Sequence, residues 1–235
     1  MIGRPLKVAS YNIHKGVGTD RRRSPDRILE VLCELGADVI ALQEADRRFG
    51  ERACVLTPHL LDEHGDWKAV GVAKRVQSMG WHGNALLVRK SARVLDCGAI
   101  HLPALEPRGA VTADIGTPIG SLRVVGMHLD LSGLWRRKQA AAVIGHVTAS
   151  PHPLPSVLMG DLNEWSNALG CLRDFARDHD VAATGPSFHA RHPLRRLDRI
   201  MVSRDLRVID CGVHASATAR KASDHLPIWA TVELR

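Results

Sequence analysis

The chain has 235 residues, of which 45% are hydrophobic and 24% are charged, and its formal net charge is +7. This is the composition of a globular protein and excludes a mostly disordered chain. The longest apolar run, Ala140–Ile144, is far shorter than the ~18 residues that a membrane span needs, so we expect no transmembrane segment.

Short apolar segments typical of β-strands recur along the chain. They are Leu6–Tyr11, Val39–Leu42, Trp67–Val72, Asn84–Val88, Val94–Ile100, Ala110–Ile115, Leu122–Met127, Ser156–Met159, Leu197–Val202, Leu206–Cys211 and Ile228–Val232. Three helices are predicted between them. The first begins at the N-cap Ser24 before a proline and ends at Gly36, the second spans about Gly133–Thr148, and the third begins near Ser166. No Ser/Gly/Pro-rich linker divides the chain, so we expect a single domain over residues 1–235.

The five cysteines are far apart and form no Cys-x-x-Cys pair. This spacing indicates neither a zinc knuckle nor a disulfide framework. We therefore expect reduced, mostly buried thiols and a cytoplasmic protein.

The predicted elements contain two similar strand–helix–strand units. In the first, a strand ends at Asn12, a helix follows, and the next strand ends at Gln43-Glu44. In the second, a strand ends at His128, a helix follows, and the next strand ends at Gly160-Asp161. Ligand sites of α/β proteins gather at the carboxyl ends of strands. We therefore predict one polar cleft between two sheets.

Further polar residues flank the predicted strands in the same way, and any one of them alone is typical of a helix cap or a turn. Together they supply carboxylate and amide oxygens without thiolates, a donor set that favours Mg²⁺ or Mn²⁺ over Zn²⁺. Histidines beside carboxylates support proton transfer and charge stabilisation near neutral pH. The set predicts the addition of water to a phosphate ester. Its members are Asn12, Glu44, His128, Asp130, Asp161, Asn163, Asp198, Asp224 and His225.

Five short motifs occur in an order that resembles the endonuclease/exonuclease/phosphatase superfamily. They are Ser10-Tyr-Asn12, Ala41-Leu-Gln-Glu44, Gly160-Asp-Leu-Asn163, Leu197-Asp-Arg-Ile200 and Ser223-Asp-His-Leu-Pro227. The resemblance extends from about Lys7 to Val232. It implies an α/β fold, a four-layer α-β-β-α sandwich with two mixed β-sheets packed face to face.

The resemblance implies a role for each matched position. Glu44 resembles the principal ligand of a divalent metal, Mg²⁺ or Mn²⁺, with Asn12 beside it and Asp224 supporting the metal shell. Asp161 resembles the carboxylate that aligns or deprotonates the attacking water, and Asn163 the amide that contacts the scissile phosphate.

The histidines are matched in the same way. His225 resembles the histidine that faces the phosphate, oriented by Asp198, and the choice of Asp161 or His225 as general base stays open. His128 resembles a catalytic histidine of the deoxyribonuclease and sphingomyelinase branches. Asp130 is either a site residue or a loop cap.

Two further positions resemble substrate contacts, Arg108 facing a phosphate and Asn84 near the cleft, and each is equally typical of a strand end. Lys15 is either a phosphate contact or an exposed loop lysine, and Arg136 with Arg137 fits the exposed face of a helix. Three segments are candidate substrate loops over the cleft, namely Arg47–Gly65, Ala73–His82 and Thr184–Arg196.

The predicted function is metal-dependent hydrolysis of phosphodiester bonds. Nucleic acid is the first expected substrate because phosphate contacts favour a basic protein. The aromatic content of 4% argues against it, since single-strand binding relies on stacking. A phospholipid headgroup or an inositol phosphate is the alternative, and a catalytically inactive binding module is a third. No protein partner is inferred.

Overall fold

The computed structural model describes residues 4–47, 53–72, 77–104 and 108–235. The described residues form two six-stranded β-sheets, packed face to face with helices on the outer faces. The predicted α-β-β-α sandwich of two mixed sheets is therefore confirmed.

The strands lie close to the predicted ones. In chain order they are β1 (Leu6–Asn12), β2 (Val39–Gln43), β3 (Trp67–Ala69), β4 (Ala85–Arg89), β5 (Arg93–His101), β6 (Gly109–Thr117), β7 (Gly120–His128), β8 (Ser156–Asp161), β9 (His179–Val181), β10 (Asp198–Ser203), β11 (Leu206–Val213) and β12 (Ile228–Leu234). The helices are α1 (Pro25–Leu35), α2 (Pro58–His64), α3 (Gly133–Thr148), α4 (Cys171–Phe175) and α5 (Ala219–Ala222).

Each sheet contains one parallel strand pair, and the pair is joined by a helix. The first sheet has the order β11-β12-β1-β2-β4-β3, with β1 parallel to β2 across α1. The second has the order β5-β6-β7-β8-β10-β9, with β7 parallel to β8 across α3. The neighbouring strands pair antiparallel. The two predicted strand–helix–strand units are thus the parallel centres of the two sheets.

Alternating apolar side chains divide the interior into three layers. One face of each sheet contributes to the central layer, where Val8 and Val39 belong to the same cluster as Val124 and Val157. The other face of the first sheet packs on α1, and the other face of the second packs on α3 and α4. Because side chains alternate along a strand, each strand end is held in register from both sides.

The first two predicted helices, which are α1 and α3, follow the predicted signals. The first begins after Ser24 with proline at its first position, and Gly36 ends it at φ 59° in the left-handed region that glycine adopts without strain. The second spans Gly133–Thr148 as predicted.

The third predicted helix is present, but its predicted start near Ser166 is wrong. The Ser166 hydroxyl accepts hydrogen bonds from the backbone N–H groups of Ala168 and Leu169 and so stabilises a turn. This helix, α4, begins only at Cys171, after Gly170. The short elements α2, β9 and α5 were not predicted, because segments of this length carry little periodicity.

The cysteines of the structure are free thiols, but the expectation that most are buried is wrong. Cys171 is buried, whereas Cys33 is exposed and the other three are half-buried.

Among the described residues no helix is long and apolar enough to cross a membrane. Of the predicted substrate loops, residues 48–52 and 73–76 lie outside the described part of the chain.

Candidate active site

Most of the predicted site residues lie at strand ends on one edge of the sandwich. Asn12 ends β1 and His128 ends β7, while Asp161 ends β8. In the second sheet, Asp161 pairs in register with His128 on one side and with Asp198, the first residue of β10, on the other. The parallel β7–β8 pair and the antiparallel β8–β10 pair thereby bring three polar side chains to the same edge.

Gly160 explains why a glycine precedes the central carboxylate. Its backbone has φ 155°, and a Cβ atom there would lie 1.9 Å from the carbonyl oxygen of Met127 on the neighbouring strand. A side chain at residue 160 would therefore push β8 away from β7. Glycine allows the close approach that places Asp161 beside His128.

Asp161 is the centre of the site and is almost fully buried, with 2% of its side chain exposed. Its Oδ2 accepts a hydrogen bond of 3.1 Å from Nδ2 of Asn12, which comes from the first sheet. Its Oδ1 accepts one of 2.9 Å from the backbone N–H of Asn163. Oδ2 also lies 3.4 Å from Nε2 of His128 and 3.7 Å from Nε2 of His225. The carboxylate therefore joins both sheets and both histidines.

His225 is held between two carboxylates. Its Nδ1 lies 2.8 Å from Oδ2 of the fully buried Asp198 and donates to it. Ser187 donates a second hydrogen bond to the same carboxylate oxygen. The ring of Phe188 packs against the imidazole at 4.8 Å between ring centres. These contacts fix the orientation of the ring, with Nε2 facing Asp161.

The two histidines have opposite protonation behaviour. Burial lowers the pKa of His128 to about 4, and the charge of Arg108 adds to this against the opposing effect of Asp161. Burial also lowers the pKa of His225, but Asp198 and Asp161 outweigh it and raise that pKa to about 10. At neutral pH, His128 is therefore neutral and His225 is charged.

The contact with Arg108 agrees with a neutral His128. A guanidinium nitrogen of Arg108 lies 2.8 Å from Nε2 of His128. Because a guanidinium only donates, Nε2 must accept, which leaves the ring proton on Nδ1. Arg108 therefore lies beside a predicted site residue, and its binding of substrate phosphate stays a prediction.

Asn84 has a structural contact that fits its alternative interpretation. Its Nδ2 donates hydrogen bonds to the backbone carbonyls of Gly109 and Trp81, at 2.9 and 3.3 Å. These bonds join the start of β4 to the start of β6, close to Arg108. A role for Asn84 in substrate binding stays a prediction.

The predicted metal ligands lie on the more open side of the site. Glu44 follows β2 in the left-handed region at φ 52°, and 24% of its side chain is exposed. Its carboxylate forms an ion pair with Lys15, whose loop follows β1. Asp224 has 28% of its side chain exposed, and the preceding Ser223 donates a hydrogen bond of 2.7 Å to the carbonyl of Asn12. The loop before β12 is thereby attached to the end of β1.

The donor set of this side suits a divalent cation that prefers oxygen. Glu44 and Asp224 provide carboxylates and Asn12 provides an amide oxygen, with no thiolate among them. The two carboxylates are partly exposed, which suits Mg²⁺ because it keeps several waters when it binds, whereas Asn12 is buried and its Oδ1 accepts from the backbone N–H of His14 at 3.1 Å. The ion pair with Lys15 shows that Glu44 already attracts a cation.

A second cluster has the spacing of a metal site but a different chemistry. Single polar atoms of Asp161, Asp198 and His225 lie within 4.8 Å of one another. Nδ1 of His225 is used by Asp198, and a charged imidazole offers no lone pair to a metal. We therefore assign this cluster to orientation and proton handling.

Asp130 and Asn163 turn the chain after the two central strands. The Asp130 carboxylate accepts from the backbone N–H of Ser132 at 2.8 Å, the geometry of a loop cap. Asn163, at φ 49°, donates from Nδ2 to the carbonyl of Leu129 at 2.9 Å. The phosphate contact predicted for Asn163 stays a prediction.

Sequence reasoning missed part of the support of the site. Ser187 and Phe188 orient His225 through Asp198 and ring packing, but a serine and a phenylalanine in a loop carry no motif signal. The interpretation of Arg136 as exposed is wrong, because this side chain is buried and paired with Glu164 at 3.3 Å. A pair of this kind, 28 residues apart, is visible only after folding.

Comparison with known proteins identifies relatives over the whole chain. A model of the Endonuclease/Exonuclease/phosphatase family matches residues 9–225. The uncharacterized Escherichia coli (strain K12) protein YbhP is 27% identical over 256 aligned positions, which cover 97% of this chain and 96% of the relative.

Solved structures share the fold at lower identity. The mannosyl-6-phosphatase of Bacteroides thetaiotaomicron superposes with a TM-score of 0.73 at 19% identity, covering 97% of this chain and 99% of that one. TDP2 of D. rerio, complexed with single strand DNA product, has a TM-score of 0.73 at 18% identity with the same coverage. At this identity the likeness concerns the fold.

Proposed function

The chain belongs to the endonuclease/exonuclease/phosphatase family, and we propose that it is a divalent-metal-dependent phosphodiesterase that uses water as the nucleophile. Members of this family are hydrolases that act on phosphoester bonds and generally depend on divalent metals. The observation that carries the proposal is the buried Asp161 carboxylate, placed between a neutral and a charged histidine.

Asp161 is the base of the proposed reaction. A charged imidazole has no lone pair to accept a proton, and the raised pKa of His225 keeps it charged at neutral pH. Asp161 has the free electron pairs and is held in place by Asn12. Water gives a proton to Asp161 as its oxygen bonds to phosphorus, and the ester bond to the leaving oxygen breaks.

The remaining residues stabilise charge. His225, oriented by Asp198, offers a positive N–H group on the same side as Asp161 and stabilises the charge that builds on the phosphoryl oxygens. His128 and Arg108 form a second polar group on the other side of Asp161. Arg108 provides a planar cationic fork, the geometry that matches a phosphate.

Glu44, Asn12 and Asp224 would hold the metal ion. A bound Mg²⁺ or Mn²⁺ supplies positive charge that polarises the phosphate. Lys15 would leave Glu44 when the metal binds, since both cations use the same carboxylate.

The substrate is proposed as a class, the phosphodiesters. Nucleic acid and phospholipid headgroups share this bond, and the net charge of +7 favours an anionic partner of either kind. The relatives differ in what their names state, one being a mannosyl-6-phosphatase and another a complex with single strand DNA.

The test uses a small soluble diester so that the chemistry is measured apart from substrate recognition. We expect hydrolysis of bis(p-nitrophenyl) phosphate with Mg²⁺ or Mn²⁺ that stops in EDTA and is lost in Asp161→Asn. The matched control is Asp96→Asn, which removes an exposed carboxylate on β5. Activity that survives in Asp161→Asn, or that is indifferent to EDTA, would refute the mechanism. Nicking of supercoiled plasmid under the same conditions tests the nucleic-acid prediction separately.

A further inference from the structure

Large hydrophobic side chains are exposed around the site to a greater degree than elsewhere. The most exposed of them in the described part of the chain form what we call the apolar rim, which consists of Leu131 (68% exposed), Leu134 (65%), Trp165 (56%), Leu169 (63%) and Leu194 (81%). The other exposed large hydrophobics are at most 46% exposed and lie on strands β5, β9, β11 and β12.

The fold places the apolar rim at the same edge of the second sheet as the catalytic residues. Leu131 and Leu134 follow β7, Trp165 and Leu169 follow β8, and Leu194 precedes β10. Because β7 and β8 are parallel and β10 is antiparallel to β8, these three connections leave the sheet at one edge. Contiguous exposed apolar residues on a soluble protein mark an interaction site.

A buried ion pair connects the first two parts of the apolar rim. Arg136 donates a hydrogen bond of 2.6 Å to the carbonyl of Leu131 and lies 3.3 Å from the carboxylate of Glu164, the residue before Trp165. The same carboxylate accepts from the backbone N–H of Ser166, whose hydroxyl accepts from the N–H of Leu169. The loops after β7 and β8 are therefore held side by side.

The third part of the apolar rim is connected through an aromatic contact. The guanidinium of Arg195 lies over the ring of Trp165 at 5.0 Å. The adjacent Leu194 donates its backbone N–H to the carbonyl of Phe188, whose ring packs on His225. The apolar rim is therefore connected to His225 through Phe188.

The exposed charges within the apolar rim are all positive. Segments 131–138, 165–170 and 188–197, all of which the structure describes, contain no Asp or Glu. Their exposed basic residues are Arg137, Lys138, Arg191, Arg195 and Arg196. Arg137 is paired with Asp174, which leaves a surface that is apolar with a positive border.

We propose that the apolar rim is a docking surface for a bilayer that contains anionic lipids. Leucine and tryptophan side chains insert at the boundary between headgroups and acyl chains, and arginine and lysine pair with anionic headgroups. Nucleic-acid surfaces also use basic residues, but they combine them with aromatic stacking, and four of the five rim side chains are leucines, which cannot stack on bases. A bilayer at this surface presents headgroup phosphodiesters to Asp161, an extension that rests on the proposed function.

The test measures binding without catalysis. We expect the wild-type protein, in EDTA, to co-sediment with vesicles of phosphatidylglycerol and phosphatidylcholine and to bind pure phosphatidylcholine vesicles at least tenfold more weakly. The triple variant Leu131→Ser, Leu134→Ser, Leu194→Ser is expected to lose at least tenfold in binding to the anionic vesicles. The matched control, Leu95→Ser, Ile209→Ser, Leu234→Ser, changes three exposed apolar residues on other strands and is expected to bind as wild type.

Several outcomes would overturn the proposal. The first two are that the wild type does not bind anionic vesicles, or that both triple variants lose vesicle binding equally. The other two are that gel filtration shows a wild-type dimer that the rim variant no longer forms, or that the rim variant alone loses binding to a short DNA duplex. Circular dichroism and thermal unfolding establish that both variants fold. Because vesicle binding is measured in EDTA, it succeeds or fails independently of bis(p-nitrophenyl) phosphate hydrolysis, which tests the proposed function.

Discussion

The two strand–helix–strand units end in polar groups of opposite character. The β1–α1–β2 unit ends in Asn12, which is buried, and Glu44, which is partly exposed and paired with Lys15. The β7–α3–β8 unit ends in His128 and Asp161, which are 9% and 2% exposed. A hydrated metal ion needs ligands that it can reach, whereas a base is most effective where water and salt do not screen it. The same local topology thus fits the two tasks that we propose, metal binding at Glu44 and proton transfer at Asp161.

The largest expected effect separates the two units by their response to metal. We expect Asp161→Asn to lower the rate of diester hydrolysis by about 10²–10⁴-fold, the usual contribution of a general base, at any metal concentration. In Glu44→Gln we expect the required metal concentration to rise at least about tenfold, with activity returning as Mg²⁺ or Mn²⁺ is added. Metal titrations of both variants measure this. If added metal restored the hydrolysis rate of Asp161→Asn, the distinction between the two units would be lost.

The second prediction concerns the pH dependence of stability. The pKa of His225 is raised to about 10, so its stabilising contribution is complete below the ~6.5 of an unfolded histidine and is lost as the pH rises toward 10. The slope for one proton is at most ~1.4 kcal/mol per pH unit. In Asp198→Asn we expect the pKa of His225 to fall toward ~6.5 and this loss of stability to shrink.

Urea unfolding at several pH values and NMR titration of the imidazole measure these two quantities. His128 provides an internal contrast, because its pKa is lowered to about 4 and its effect has the opposite sign. Its contribution destabilises the fold as the pH falls from ~6.5 toward 4. Asp96→Asn should leave the pH dependence of stability unchanged at both high and low pH. An unchanged His225 pKa in Asp198→Asn would show that Asp198 does not raise that pKa.

The smallest expected effect concerns the β1–α1–β2 unit alone. Lys15→Met removes the cation that is paired with Glu44, so we expect metal to bind about fivefold more tightly, which corresponds to the ~1 kcal/mol of repulsion between a unit charge and a divalent ion ~8 Å apart in water. Isothermal titration with Mn²⁺ measures the change. Lys68→Met, on β3, is the matched control for loss of one positive charge. Weaker metal binding in Lys15→Met would mean that the lysine supports the metal site instead of competing with it.

Much of the fold was predictable because the signals are local. The N-terminal Ser24-Pro25 and terminal Gly36 of α1, the apolar runs of β1 and β8, and the two strand–helix–strand units follow from short segments of sequence. The turn at Ser166 was not predictable, because a serine side chain fits both a helix N-cap and a turn. Arg136 was assigned to an exposed face, since its buried partner Glu164 lies 28 residues away.

The sequence by itself determined which residues reach the strand ends and which chemical groups they carry. It pointed to Asp161, His128 and His225 because each lies next to an apolar strand and resembles a family position, and their roles stay predictions. It contained no information on the protonation of the two histidines, each of which is one or two residues from an aspartate. Only the tertiary structure placed Arg108 against His128 and Asp198 against His225. Burial and charge both act through space: burial is the main reason that His128 is neutral, with Arg108, 20 residues away in the chain, adding to it, whereas Asp198, 27 residues away, and Asp161 keep His225 positive against burial.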